Sequence, residues 1–204
     1  MNILGISAFV HDSAACFIKN GSLVANVEEE RFNRTKHTSV FPINSVKYVL
    51  DCGGIKLSEI DVIAFNWNPY KSFLNEVIKF TLVPITFYKV YKYINPPKNF
   101  RSINASFKLR KTINQYFPNQ FKGKIVWFDH HLAHAASSYY LSPFCLENAD
   151  VIVVDAYGDD CSASVYSVKD HKFHLLWKVP IYHSLGILYL NFTRFLGFSD
   201  YEEG

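Results

Sequence analysis

The sequence predicts an α/β protein of two similar lobes, each built on a βββαβα order, with the second lobe incomplete. Three observations carry this. Short apolar runs separated by turn signals open the chain at Asn2–Glu30. A second set of the same kind opens after Pro143, and each set leads into a stretch with helical apolar spacing. Two related units of this sort bury their sheets under helices and leave a cleft between their loops.

The elements follow in order. Ile3–Ser7, Ala14–Ile18 and Leu23–Glu28 read as a three-stranded meander, with Asn20-Gly21 as a hairpin turn. Pro42 to Cys52 reads as a helix with Val46, Val49 and Leu50 on one face and Gly53-Gly54 as its stop. Asp61–Trp67 reads as a buried strand. Lys124–Phe128 reads as another, running directly into a histidine-headed helix that ends near Tyr140. In the second half, Val151–Asp155, Ala163–Val168 and Phe173–Val179 give three strands. Ser184–Leu196 gives a helix with Leu185, Leu188, Phe192 and Phe195 at apolar spacing. The expected lobes are therefore 1–147, with a basic helical insertion at about 70–118, and 148–204, the start of a second lobe that stops short.

Composition excludes several classes. The 204 residues are 49% hydrophobic and 17% aromatic, enough for a sizeable core and unlike a disordered chain. Cys16, Cys52, Cys145 and Cys161 form no C-x-x-C pair and lie in apolar or helical stretches. They are expected to be reduced and mostly buried, as in the cytoplasm. The start lacks the basic and long apolar regions of a signal peptide, and the apolar run Phe80–Tyr88 is interrupted by Pro84, too short for a membrane span. Tyr70–Lys111 holds nine Lys or Arg against the single acid Glu76, although the whole chain carries only +3. Its interleaved aromatics suggest helices with one buried face, broken at Pro96-Pro97. A solvated lysine face explains this charge more simply than a nucleic-acid surface.

His130 and His134 share one helical face and can grip one divalent metal. Taken alone, such a pair also suits a helix start or aromatic packing. Asp155, at the end of the first strand of the second set, adds a carboxylate, and three ligands leave open positions suited to catalysis. Mixed donors fit iron, zinc or manganese without separating them. His11-Asp12-Ser13 occupies a tight loop where Asn or Gly would turn more easily, so His11 is a candidate proton donor or acceptor.

These segments together resemble a known family. Gly5-Ile-Ser-x-x-x-His11-Asp12-Ser13-Ala-Ala, Val27-Glu28-Glu29-Glu30-Arg31-Phe32-x-Arg34-x-Lys36-His37, His130-His131-Leu-Ala-His134-Ala-Ala-Ser137, Asp155-x-x-Gly158 and His183-Ser184-Leu185-Gly186-x-Leu-Tyr189 closely resemble the N-terminal domain of the O-carbamoyltransferases of antibiotic and nodulation-factor biosynthesis. The resemblance implies an actin-like (ribonuclease H-like) fold akin to the tRNA threonylcarbamoyladenosine enzyme. It implies a missing C-terminal domain that makes carbamoyl adenylate from carbamoyl phosphate and ATP. The actin-like domain would then pass the carbamoyl group to a hydroxyl on a small-molecule acceptor. On the same likeness His130, His134 and Asp155 match metal ligands, with iron first among the candidate metals, and a further carboxylate ligand is expected beyond Gly204. His11 matches a catalytic histidine. Ser13, Gly158 and Gly186 are expected to bind nucleotide or phosphate. Ala156-Tyr157 departs from the glycine expected after the strand-end aspartate and would narrow the phosphate loop. The alternative is a nucleotide- or tRNA-binding module, whose basic insertion would contact nucleic acid.

Overall fold

Alternating burial along Asn2–Glu28 builds an antiparallel meander of β1 (Asn2–Ser7), β2 (Ala14–Lys19) and β3 (Ser22–Glu28). The turn at Asn20-Gly21 takes positive φ at both residues, 53° and 87°, as a tight hairpin requires. The computed structural model describes residues 1–71 and 99–198, which fall into two compact units, Met1–Phe128 and Asp129–Gly204.

In the first unit, β4 (Val62–Phe65) pairs parallel with β1, and β5 (Lys124–Trp127) pairs parallel with β4, giving a five-stranded sheet in the order β3-β2-β1-β4-β5. The expected strand Asp61–Trp67 is shorter at both ends, and Asp61 aligns the strand starts from just outside it. Its N–H donates to the Asn2 carbonyl, and its own carbonyl accepts from the Lys124 N–H at 3.0 Å. A short helix α1 (Glu30–Asn33) and a longer α2 (Ile43–Gly53) follow β3. Val46, Val49 and Leu50 of α2 are buried, as are Leu4, Phe17, Ile63 and Phe65 of the sheet. Each such side chain contributes on the order of 1.5–3 kcal/mol of transfer energy. Gly53 lets α2 reach β2, since a Cβ there would stand 2.4 Å from the Phe17 ring. Within the basic insertion the helix α3 (Asn99–Tyr116) buries Leu109 and Ile113. The other helices expected in the insertion and the expected break at Pro96-Pro97 fall outside the described residues.

The second unit begins with α4 (His130–Tyr140). Its second meander comprises β6 (Ala149–Val154), β7 (Cys161–Lys169) and β8 (Lys172–Pro180), antiparallel in the order β6-β7-β8. Helix α5 (Leu185–Phe195) follows. Ala135 of α4 packs with Val153 and Tyr166, flanked by Leu132, Val151 and Phe173. This packing puts the histidine helix with the second sheet, and the two compact units meet in sequence at 128/129. The fold is mixed α/β. No described helix is long and apolar enough to cross a membrane. All four cysteines are free thiols, but only Cys161 is buried and Cys52 is exposed, which corrects the expectation of mostly buried cysteines. Cys52 sits on the outer face of α2, in a stretch that reads as helical but turns that position to solvent.

Candidate metal centre and histidine loop

Asp129 stands where an N-cap belongs, and its side chain accepts from the Leu132 N–H at 3.1 Å. A second carboxylate, the buried Asp159 from the loop after β6, accepts from the His130 N–H at 2.8 Å. Two acids at the N-terminus of α4 satisfy its unpaired donors and complement its dipole. They fix the first turn, from which His130 and His134 project with ring centroids 4.6 Å apart.

Asp155 follows directly on β6. Its N–H donates to the Ser162 carbonyl at 2.8 Å, and its Oδ1 accepts from the Ala156 N–H at 2.6 Å. That leaves Oδ2 toward the imidazoles, 3.2 Å from His130 Nε2 and 3.7 Å from His134 Nε2. The two Nε2 atoms lie 3.1 Å apart. One donor atom from each of the three residues falls within 4.8 Å of the others. Ligands bonded at about 2.1 Å and separated by right or tetrahedral angles stand about 3.0–3.4 Å from one another. Two of the three separations fall in that range and the third, 3.7 Å, exceeds it slightly, so a small side-chain adjustment lets the donor set hold one metal ion. His130 is 5% exposed, while Asp155 and His134 are 30% and 50% exposed, so the cluster opens on one side. Burial works to raise the Asp155 carboxyl, but the His130 hydrogen bond and charge outweigh it and hold the group below the ordinary carboxylate value.

The neighbouring groups have structural work. His131 is fully buried with Nδ1 on the Ser164 hydroxyl at 2.8 Å, and burial, then the charge of His130, lowers its pKa. Gly158 is buried beside it with its N–H on the Cys161 carbonyl, and a Cβ there would meet His131 Cδ2 at 2.5 Å. Ser184 caps α5 by accepting from the Ile187 N–H, and its hydroxyl reaches the Ala156 carbonyl at 2.6 Å. Gly186 permits that approach, since its Cβ would fall 2.7 Å from the Ala156 backbone.

The first unit holds His11. Its Nδ1 lies 2.8 Å from Asp12 Oδ2, while His37 Nδ1 lies 2.9 Å from Asp12 Oδ1. Burial pushes the Asp12 carboxyl up, but the bonds to His11 and His37 outweigh it and hold it low. Ser13 is fully buried: its N–H donates to the Thr38 carbonyl, and its Oγ has no hydrogen-bond partner among the described residues. Glu29, from the charged run after β3, is 1% exposed and accepts from the N–H and side chain of both Asn44 and Ser45.

Thus His130, His134 and Asp155 meet within one unit, and His11 stands in the other. The roles of Asp129 and Asp159 at the start of α4, of Glu29 at the start of α2, and the partnership of Asp12 with His37 are absent from the sequence reading, although Glu29, Asp12 and His37 fall within its motifs. An Asp just before a helical pattern is the one signal that would have marked Asp129. The other three act across long sequence distances.

A mixed α/β chain with a histidine–carboxylate centre and a histidine-bearing loop is the class of protein these features define. A family model described as carbamoyltransferase N-terminus matches residues 2–203, and the chain belongs to that family. It is 34% identical to the uncharacterized protein sll1178 of Synechocystis over 97% of the chain, and 31% identical to nodulation protein NolNO of Sinorhizobium fredii over 97%. It spans 32% and 27% of the lengths of those two relatives. Among solved structures, YeaZ from Pseudomonas aeruginosa is similar with a TM-score of 0.48 and 13% identity, covering 88% of this chain and 67% of that one.

Proposed function

We propose that the chain is the N-terminal part of an ATP-dependent O-carbamoyltransferase that moves a carbamoyl group from carbamoyl phosphate, through carbamoyl adenylate, to the hydroxyl of a sugar-like or polyketide-like acceptor. The carrying observation is the convergence of His130 Nε2, His134 Nε2 and Asp155 Oδ2 beside an open face, in a chain of this family. We read the fold as actin-like with duplicated lobes at 1–147 and 148–204, in keeping with the strand order β3-β2-β1-β4-β5 and the second meander. The protein would work in the cytoplasm, with a C-terminal domain forming the adenylate.

His130, His134 and Asp155 would hold a divalent ion, iron first and zinc or manganese next, which when bound supplies positive charge for a phosphate or carbonyl oxygen. The imidazole of His11 takes the proton of the acceptor hydroxyl. The hydroxyl oxygen bonds to the carbamoyl carbon as the bond from that carbon to the phosphate oxygen breaks, and AMP departs. The loops carrying Ser13, Gly158 and Gly186 are assigned to the nucleotide phosphates.

The test is elemental analysis of the full-length protein with a carbamoyl-transfer assay on a panel of glycosides. About one ion per chain is expected, with most of it lost in His134→Ala. Equal metal content in wild type and variant would overturn the centre, and absence of transfer to any hydroxyl acceptor would overturn the reaction.

A further inference from the structure

Four residues other than glycine hold left-handed backbone in two adjoining loops of the first unit: Phe9 at φ 72°, Asp12 at 48°, Arg34 at 59° and His37 at 53°. The loops are tied by the Phe9 N–H on the Ser39 carbonyl and the Ser13 N–H on the Thr38 carbonyl, both at 2.9 Å. The His37 N–H also donates to Glu30 Oε2 at 3.2 Å. A bulky Phe in this region is a marked outlier. Such conformations persist where the surroundings enforce them, and they gather at functional sites.

What the strain secures is one carboxylate shared by two imidazoles. An ionised carboxylate only accepts hydrogen bonds, so the Nδ1 atoms of His11 and His37 must each carry the hydrogen they give to Asp12. A neutral imidazole protonated at Nδ1 bears its lone pair on Nε2. His11 is 43% exposed, and its Nε2 has no hydrogen bond among the described residues. It thus offers a lone pair to solvent, on a ring whose orientation is fixed from behind.

We propose that Asp12 and His37 are positioning residues for His11: Asp12 locks the Nδ1–H tautomer and ring orientation, and His37 holds the far oxygen of that carboxylate so that it cannot swing away. The inference rests on the acid–base role given to His11 above. It adds two residues that act through His11 without touching substrate. A carboxylate behind a catalytic imidazole fixes tautomer and orientation in the same way in hydrolases, where its loss costs roughly 10⁴-fold in turnover.

The experiment uses full-length protein with 15N-labelled histidine and two-bond 15N–1H correlation spectra near pH 8, above the ordinary imidazole range. His11 is expected as the Nδ1–H tautomer in wild type and as the Nε2–H tautomer in Asp12→Gly, a substitution that suits the left-handed backbone. In carbamoyl transfer, Asp12→Gly is expected to lower kcat by about 10²–10⁴-fold with little change in KM for the carbamoyl donor. His37→Gly should cost about 10-fold or more. His37→Asn keeps an N–H where Nδ1 stood and should restore most of that loss. His11 found as Nε2–H in wild type, an unchanged tautomer in Asp12→Gly, or equal defects in His37→Gly and His37→Asn would each overturn the inference. Normal transfer by His11→Asn would overturn the acid–base reading instead, and the spectra judge tautomer locking independently of it.

Discussion

Gly158 has no room for a methyl group, because its Cβ would stand 2.5 Å from a fully buried imidazole carbon of His131. Gly158→Ala should therefore cost about 1–3 kcal/mol of stability, an ordinary overpacking penalty, visible as a lowered Tm. Asp12 gives a prediction with acid. Its folded carboxyl is held below the ordinary value of about 3.9, so its contribution is full above that value and lost as pH falls through the lowered one. Acid titration followed by circular dichroism should show a shallower loss of stability below pH ~4 in Asp12→Gly than in wild type. His130 and His134 are legible in the sequence because their spacing alone puts them on one helical face, and Asp155 is legible as a polar strand end. Asp159 is not, because a carboxylate that caps α4 from the loop after β6 acts only once the chain has folded.

Helix α2 starts without a side-chain cap of its own, its N-cap position being Pro42. Glu29 fills that role from the end of β3, with Ser45 N–H and hydroxyl both at 2.8 Å from Oε2. Glu29→Gln replaces one acceptor oxygen with a donor that faces other donors. It should destabilise the first unit by about 1–3 kcal/mol in urea unfolding, and Glu29→Ala by at least as much. The meanders and α2 could be read from alternation and apolar spacing, to within a residue or two at their ends. The short α1 could not, because it is one turn with no buried residue and so leaves no apolar pattern. The sequence leaves the role of the charged run Glu28–Arg34 open, and only the tertiary fold makes Glu29 the most buried carboxylate among the described residues.

Over the whole molecule, the free thiols report on both units at once. Burial, reinforced by the negative charge of Asp160, pushes the Cys161 thiol up to about 12, whereas Cys52 is exposed on α2. Timed alkylation at pH ~8 followed by mass spectrometry should modify Cys52 first and leave Cys161 intact until the chain unfolds. The division at 128/129 was not legible, because strand β5 and helix α4 are adjacent in sequence and only packing separates them into different units.

The parallel pairing of β4 with β5 joins Val62–Phe65 to Lys124–Trp127 across the entire intervening stretch of residues 66–123. The entropy of closing a flexible connection rises only logarithmically with its length, by about 0.6 kcal/mol for each doubling. Changes in the length of this stretch outside α3, which is anchored through the buried Leu109 and Ile113, should therefore cost the strand pairing little. The lysines and arginines concentrated in Tyr70–Lys111 therefore lie in a stretch whose length the strand pairing itself does not dictate.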